Sequence, residues 1–83
     1  MKAIVELVHT DRGMYAARLE DTDQYAVFEL FDRYAPQCGD WLTHASFPST
    51  GNQVYRNLSQ GQSIEVIAKG VFGRSAAQRA CLL

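Results

Sequence analysis

Histidine, cysteine and aspartate are the side chains here that could transfer protons or bind a metal. His9 stands two residues before Asp11, a spacing at which a carboxylate can orient an imidazole as a general base. Alternate residues of any strand share a face, however, so this spacing alone does not indicate catalysis. His44 and Cys38 would complete a metal site with His9 only if all three met in space, and no local ligand spacing supports that. We therefore predict no metal site.

Nucleophiles and phosphate loops give an equally weak indication of enzyme activity. The serines lack a nucleophile-elbow or Ser-x-x-Lys pattern. Gly70 and Gly73 precede Arg74, and an arginine at a helix N-terminus can bind an anion, but the Walker spacing and lysine are missing. A flexible joint and a helix cap explain the same residues. We predict no enzyme activity and no cofactor.

Basic and aromatic side chains could bind a nucleic acid, although the net charge of −1 argues against a dedicated nucleic-acid-binding domain. Residues 1–47 carry eight acids and four bases, whereas residues 48–83 carry four bases and Glu65 alone. The second half is therefore the better candidate to meet an anion. Tyr55, Arg56 and Asn57 lie beside a turn and could contact a base or a phosphate. An exposed strand with solubilising side chains explains them as well.

The composition indicates the kind of protein that must position these residues. With 83 residues, 47% hydrophobic and 20% charged, the sequence predicts a single globular domain over residues 1–83. It contains no run of apolar residues long enough for a membrane span and no signal-peptide pattern at its start. We expect a cytoplasmic protein without membrane contact. Cys38 and Cys81 are expected to be reduced thiols that are not bonded to each other.

Short apolar segments separated by turn residues predict β-strands at regular spacing. The predicted strands are Ala3–His9, Met14–Glu20, Gln24–Phe31, Asp40–Phe47 and Ser63–Lys69. Gln53–Asn57 could form a further short strand, and the segment around Gly70 is expected to break the pattern. Core residues are expected to include Val5, Leu7, Val27 or Phe28, Ile64 and Val66. The tail from Ser75 to Leu83 has capping-box spacing and predicts a short helix, with a sixth strand as the alternative.

The first three predicted strands resemble the start of a cold-shock-type OB domain. Met1-Lys2, Val5, the Arg12-Gly13 turn and Val27-Phe28 fall in the order and at the spacing of that family. The resemblance implies a barrel that binds single-stranded RNA or DNA by stacking bases on exposed aromatic rings. After Asp40 the correspondence fades.

Most of the rings that this resemblance implies are missing. Leu7 stands where the family has a tryptophan, and Met14 and Ala16 replace two phenylalanines, while Phe28 remains. The resemblance therefore implies the barrel more strongly than the stacking surface.

Together these patterns predict a mainly β protein, a small OB-like antiparallel β-barrel of five or six strands with a short C-terminal helix. The predicted function is a non-catalytic binding module, with weak binding of single-stranded RNA or DNA as the leading hypothesis. The alternative is a protein-interaction module, self-associating as a homodimer through a strand edge or the C-terminal helix. The predicted nucleic-acid-binding residues are Arg12, Phe28, Tyr55, Arg56, Lys69 and Arg74.

Overall fold

Six strands form in the computed structural model, which describes residues 1–82. They are β1 (Lys2–His9), β2 (Met14–Leu19), β3 (Tyr25–Leu30), β4 (Trp41–Thr43), β5 (Gly51–Asn57) and β6 (Gln62–Phe72). A 3-10 turn, Thr10–Arg12, joins β1 to β2, and the helix α1 (Arg74–Leu82) follows β6. The predicted mainly β fold with a C-terminal helix is confirmed, and the alternative of a C-terminal strand is wrong.

All strand pairs are antiparallel, and they close into a barrel in the order β1-β2-β3-β6-β5-β4. The first three strands form a meander, and β6 pairs with the free side of β3. Closure occurs where Lys2, Ala3 and Ile4 pair with Thr43, Leu42 and Trp41. The predicted barrel is therefore confirmed with six strands, while its relation to the OB domains stays a prediction.

Strand β6 continues through Gly70, where the sequence predicts a break. Gly70 has a φ of +126°, and the register against β3 shifts between Val27 and Phe28. A positive φ at glycine accommodates an irregularity of this kind without ending the strand. The continuation carries Phe72 to the outer surface, where it packs with residues of α1. The predicted end of the strand at Lys69 is therefore wrong by three residues.

The barrel interior is filled by inward-facing apolar side chains. Val5, Phe28, Ile64 and Val66 lie there, as predicted for the core. The complete buried set is Ala3, Val5, Tyr15, Ala17, Leu19, Ala26, Phe28, Leu42, Phe47, Tyr55, Ile64, Val66 and Ala68.

A second apolar layer lies outside the barrel, between α1 and the outer face of β1, β2 and β3. Ala77 and Cys81, one helical turn apart, are fully buried there. They pack with Ala16, Tyr25 and Val27 and with the half-buried Leu7, Met14 and Phe72. Leu7, predicted as a core residue, is half-buried and packs in this outer layer and not in the barrel interior.

Candidate nucleic-acid interface

Two of the predicted nucleic-acid-binding residues, Phe28 and Tyr55, lie inside the barrel. Their exposures are 0% and 1%, and their ring centroids are 5.2 Å apart in an edge-to-face contact. Alternation along β3 and β5 turns both side chains inward. No base can reach these rings, so their prediction as binding residues is corrected.

Two predicted bases already have acidic partners. The Lys69 Nζ atom lies 3.5 Å from Glu29, across the β3–β6 pair. Arg74 lies 3.5 Å from a Glu6 carboxylate oxygen and donates a hydrogen bond to the hydroxyl of Tyr25. Because Lys69 is paired with Glu29, and Arg74 is held by Glu6 and Tyr25, both are weaker candidates for phosphate binding than a base without such contacts.

Glu6 is the centre of the cluster that holds Arg74. Its carboxylate accepts hydrogen bonds of 2.8 Å from Arg18 Nε and 2.8 Å from the Tyr25 hydroxyl. The Arg18 hydrogen bond, supported by Tyr25 and by the charge of Arg74, outweighs desolvation and lowers the pKa of Glu6. Glu6 and Tyr25 lie on β1 and β3, and Arg74 is the first residue of α1. The cluster therefore ties the start of the helix to the barrel.

The remaining predicted bases, Arg12 and Arg56, are exposed and form no ion pair within the described part of the chain. Arg12 lies in the turn between β1 and β2, and Arg56 lies on the outer face of β5. Their elements are not neighbours in the sheet. The six predicted residues therefore do not converge on one site.

The surface that OB domains use for oligonucleotides includes the outer face of strands 2 and 3. Here α1 covers that face. Leu7, Met14 and Ala16, which stand where the cold-shock resemblance would place stacking rings, pack with Ala77 and Cys81. The helix thus accounts for small and aliphatic side chains at these positions, and any base-stacking site must lie elsewhere on the barrel.

Trp41 offers such a position on the open side of the barrel. The residue is 36% exposed, and it lies on β4 between Ile4 of β1 and Leu58, whose amide donates to the Trp41 carbonyl at 2.8 Å. Lys2 and Arg56, which flank Thr43 in the next cross-strand row, are the diagonal neighbours of Trp41. Diagonal neighbours are within reach of long side chains, roughly 7–8 Å apart. We call Lys2, Trp41 and Arg56 the Trp41 face.

A shallow groove of about 310 Å³ adjoins the Trp41 face and is lined by Lys2, Glu20, Trp41, Leu58 and Ser59. Ser59 Oγ accepts a hydrogen bond of 2.9 Å from the Trp41 amide, which fixes the backbone at the ring. Lys2 and Arg56 are exposed and form no ion pair among residues 1–82. The groove therefore combines an exposed indole with one available cation, Lys2, and one acid, Glu20, while Arg56 lies on the Trp41 face outside the groove.

The loops beside this groove are fixed by Asp40. One of its carboxylate oxygens accepts hydrogen bonds from Asn57 Nδ2 at 2.9 Å, from Gln60 Nε2 at 2.6 Å and from the Gln37 amide at 3.0 Å. Asn57 is 1% exposed, and its amide oxygen in turn accepts from the Gln60 backbone. These bonds join the segment before β4 to the turn after β5, so Trp41 and Leu58 are held on a fixed frame.

Trp41 and Lys2 were not among the predicted site residues. The sequence contained one indication, because Trp41 and Thr43 alternate with the apolar Leu42. If Leu42 points into the core, alternation along the strand directs the neighbouring Trp41 side chain to the outer face. The proximity of Lys2 follows only from the closure of β1 on β4, between residues distant in sequence.

No protein-family model, no curated protein and no solved structure matches this chain. Among residues 1–82 no group of three or more His, Cys, Asp or Glu side chains could hold a metal ion. No helix in the described part of the chain is long and apolar enough to cross a membrane.

Proposed function

We propose that the chain is a cytoplasmic, non-catalytic binding module that takes single-stranded RNA or DNA weakly on the Trp41 face. The observation that carries the proposal is the exposed Trp41 side chain with two diagonal neighbours, Lys2 and Arg56, that form no ion pair among the described residues. The free thiols of Cys38 and Cys81 fit a reducing compartment. The closed antiparallel barrel is compatible with the cold-shock resemblance, and the proposed binding surface lies away from the helix-covered face.

Stacking and charge would contribute separately to this affinity. A base stacked on an aromatic ring is worth about 1–3 kcal/mol, whatever the base. Each phosphate neutralised adds roughly −0.7 to the log–log salt slope for single strands. With Lys2 and Arg56 as the available cations, we expect a slope of about −1.4. One ring and two cations support binding in the micromolar range or weaker at physiological salt.

The test is a titration of a fluorescent mixed-sequence single-stranded oligonucleotide at two salt concentrations. Trp41→Ala should weaken binding about tenfold at either salt, since it removes the stacking contribution. Arg56→Ala should reduce the salt slope by about 0.7. Lys69→Ala is the matched control, because Lys69 is already paired with Glu29. It should leave both quantities nearly unchanged.

Failure of the wild-type protein to bind at low salt would refute the nucleic-acid proposal. Equal losses from Arg56→Ala and Lys69→Ala would show that the contact is diffuse and does not use the Trp41 face. Absence of binding would favour the second candidate, a protein-interaction module. Phe31 and Val54, which are 69% and 57% exposed, are the residues that favour it.

A further inference from the structure

Strand β5 is paired along its whole length on one side only. On the β6 side its ladder runs from Gly51 to Asn57, but on the β4 side only Arg56 and Asn57 have partners. The chain leaves the sheet after Thr43, where the Ser46 amide donates to His44 Nδ1 at 3.0 Å and turns the backbone. Residues 51–54 therefore form an open edge in the barrel wall.

The backbone groups at this edge can be identified from the alternation of the strand. The Leu58 amide donates to Trp41 and so faces β4. Alternate residues of a strand direct their N–H and C=O groups to the same side, which assigns Arg56, Val54 and Asn52 to the β4 side. Arg56 is opposite Thr43, whereas no described strand is opposite Val54 and Asn52. An edge with free N–H and C=O groups is a template for another extended chain.

A groove of about 350 Å³ lies on the outer face beside this edge. Val54 is directly opposite Glu65 of β6, and the Phe31 amide donates to the Glu65 carbonyl at 2.9 Å. Phe31, Glu65 and Val54 thus form one row, with the acid between two exposed apolar side chains. Glu65 forms no ion pair with any described residue. The row offers an available negative charge flanked by apolar walls.

We infer that an extended segment of a partner protein adds to β5 as an antiparallel strand at Asn52 and Val54 and places a basic side chain on Glu65. The partner residue opposite Val54 would stand two strand spacings from Glu65, about 10 Å. Lysine and arginine can span this with their aliphatic stems on Val54. In such strand addition the main chain supplies affinity and the side-chain groove supplies specificity.

A second copy of the chain fits this edge less well than a basic segment. In a two-fold antiparallel pairing of β5 with itself, the groups that face the edge meet when Val54 lies opposite either Asn52 or Val54 of the other copy. The side chain beside Val54 is then an asparagine or a valine, and neither can span the distance to Glu65 or neutralise it. Complementary charge therefore favours a different protein with a Lys or Arg in the strand.

The test uses a labelled synthetic peptide of alternating threonine and valine with a central arginine, read by fluorescence polarisation and by amide chemical shifts. The arginine peptide should bind the wild-type protein about tenfold more tightly than its counterpart with a central glutamate. Its main shifts should fall on Asn52 and Val54. Glu65→Lys, at an exposed position, should reverse the preference. Glu65→Gln should abolish it.

N-methylation of the peptide separates strand addition from simple charge attraction. A methyl on the central arginine amide, which would face β5, should abolish binding, whereas a methyl on the next amide should not. Equal effects of the two methyls, no binding at millimolar peptide, or an unchanged preference in Glu65→Lys would overturn the inference. Self-association of the protein alone through Asn52 and Val54 would overturn it in favour of a second copy. Trp41→Ala should leave peptide binding unchanged, which separates this inference from the nucleic-acid proposal.

Discussion

Side chains alternate between the interior and the outer face on all strands of this barrel. One outer face is nevertheless buried, whereas the other is exposed. On β1, β2 and β3 the outward apolar side chains, such as Tyr25 and Val27, are buried because α1 covers them. On β4 and β5 the outward side chains of Trp41 and Val54 remain exposed. The helix alone separates a second core from a surface available to partners. An apolar side chain outside a barrel therefore indicates a binding site only where the structure leaves it uncovered.

The sequence of each strand reflects this difference. The first four residues of β3, Tyr25–Phe28, are all buried, because one side faces the interior and the other faces α1. Along β5 exposed and buried residues alternate from Val54 to Asn57. A continuous apolar run marks a strand covered on both faces, and alternation marks a strand with one free face. The contrast between β3 and β5 thus locates the open side of the molecule.

The largest expected effect is a loss of stability, caused by a charged substitution in the apolar layer that α1 covers. Ala77→Asp would place a carboxylate in the fully buried layer between α1 and the barrel. Burial of an unpaired charge should lower the free energy of unfolding by about 3 kcal/mol, measured by urea denaturation. If the helix detaches locally, the buried Cys81 thiol should react faster with a thiol reagent. Cys38 is exposed and reacts first, so the second thiol reports on Cys81.

The matched control is Ala80→Asp, which makes the same change on the exposed side of the helix. It should cost no more than about 1 kcal/mol, through the unfavourable helix-dipole interaction near the C-terminus. Equal costs at Ala77 and Ala80 would show that α1 does not seal this face, and the distinction between the two faces would fail.

A smaller effect is expected from the cluster that ties α1 to the barrel. The pKa of Glu6 in the folded protein lies below its ordinary value of 4.5, chiefly because of the hydrogen bond from Arg18. A lowered folded-state pKa gives stability that is present above the ordinary value and is lost as the pH falls through the folded value. Glu6→Gln should therefore cost about 1 kcal/mol at neutral pH, a modest amount for a partly exposed pair.

Urea denaturation of both proteins between neutral and strongly acidic pH checks this prediction. The difference in unfolding free energy between wild type and Glu6→Gln should shrink as Glu6 becomes protonated. Asp32 and Asp40 also have lowered pKa values, but they are present in both proteins and cancel in the difference. A difference that stays constant with pH would show that the charge of Glu6 does not stabilise the helix contact.

The smallest expected effect concerns the open face and involves no mutation. In native-state hydrogen exchange the amides of Asn52 and Val54 should exchange faster than those of Gln53 and Tyr55. The first two face the open edge, whereas the second two face β6. Protection of all four amides in the isolated protein would mean that the edge of β5 is already paired. The description of this side of the barrel as open would then be wrong.

The sequence predicted the barrel and its helix because both leave local patterns. Alternation between turns marks the strands, and the alanine-rich tail marks the helix. The capping-box spacing itself was misleading, because α1 begins at Arg74 and Ser75 lies inside the helix. Two predicted strand ends, those of β4 and β6, were wrong for physical reasons. Gly70 takes a positive φ within a continuing strand, so β6 does not stop there. The segment after Thr43 turns away and places Phe47 in the core from a loop, so β4 has three residues.

The candidate site was much harder to predict than the fold. Phe28 lies in a run that is apolar on both sides, so the sequence could not decide which of its faces points inward. Lys69 and Arg74 appeared available because their partners, Glu29 and Glu6, lie far away in the chain. Among the predicted residues only Arg56 lies beside an exposed aromatic ring, that of Trp41. The sequence does not show this neighbourhood, because it depends on the pairing of β1, β4 and β5.

The pairing of distant segments also bears on how the chain reaches its native state. The meander of β1, β2 and β3 can form locally, but Tyr25 must find Phe72, and Ile4 must find Trp41, before the barrel is complete. Bringing such distant segments together lowers the conformational entropy of the chain before the new contacts stabilise the fold. Folding on the order of milliseconds to seconds is typical of small β topologies of this kind. Until β4 and β6 pair with it, the meander leaves free edges on β1 and β3, and unpaired strand edges of this kind promote aggregation.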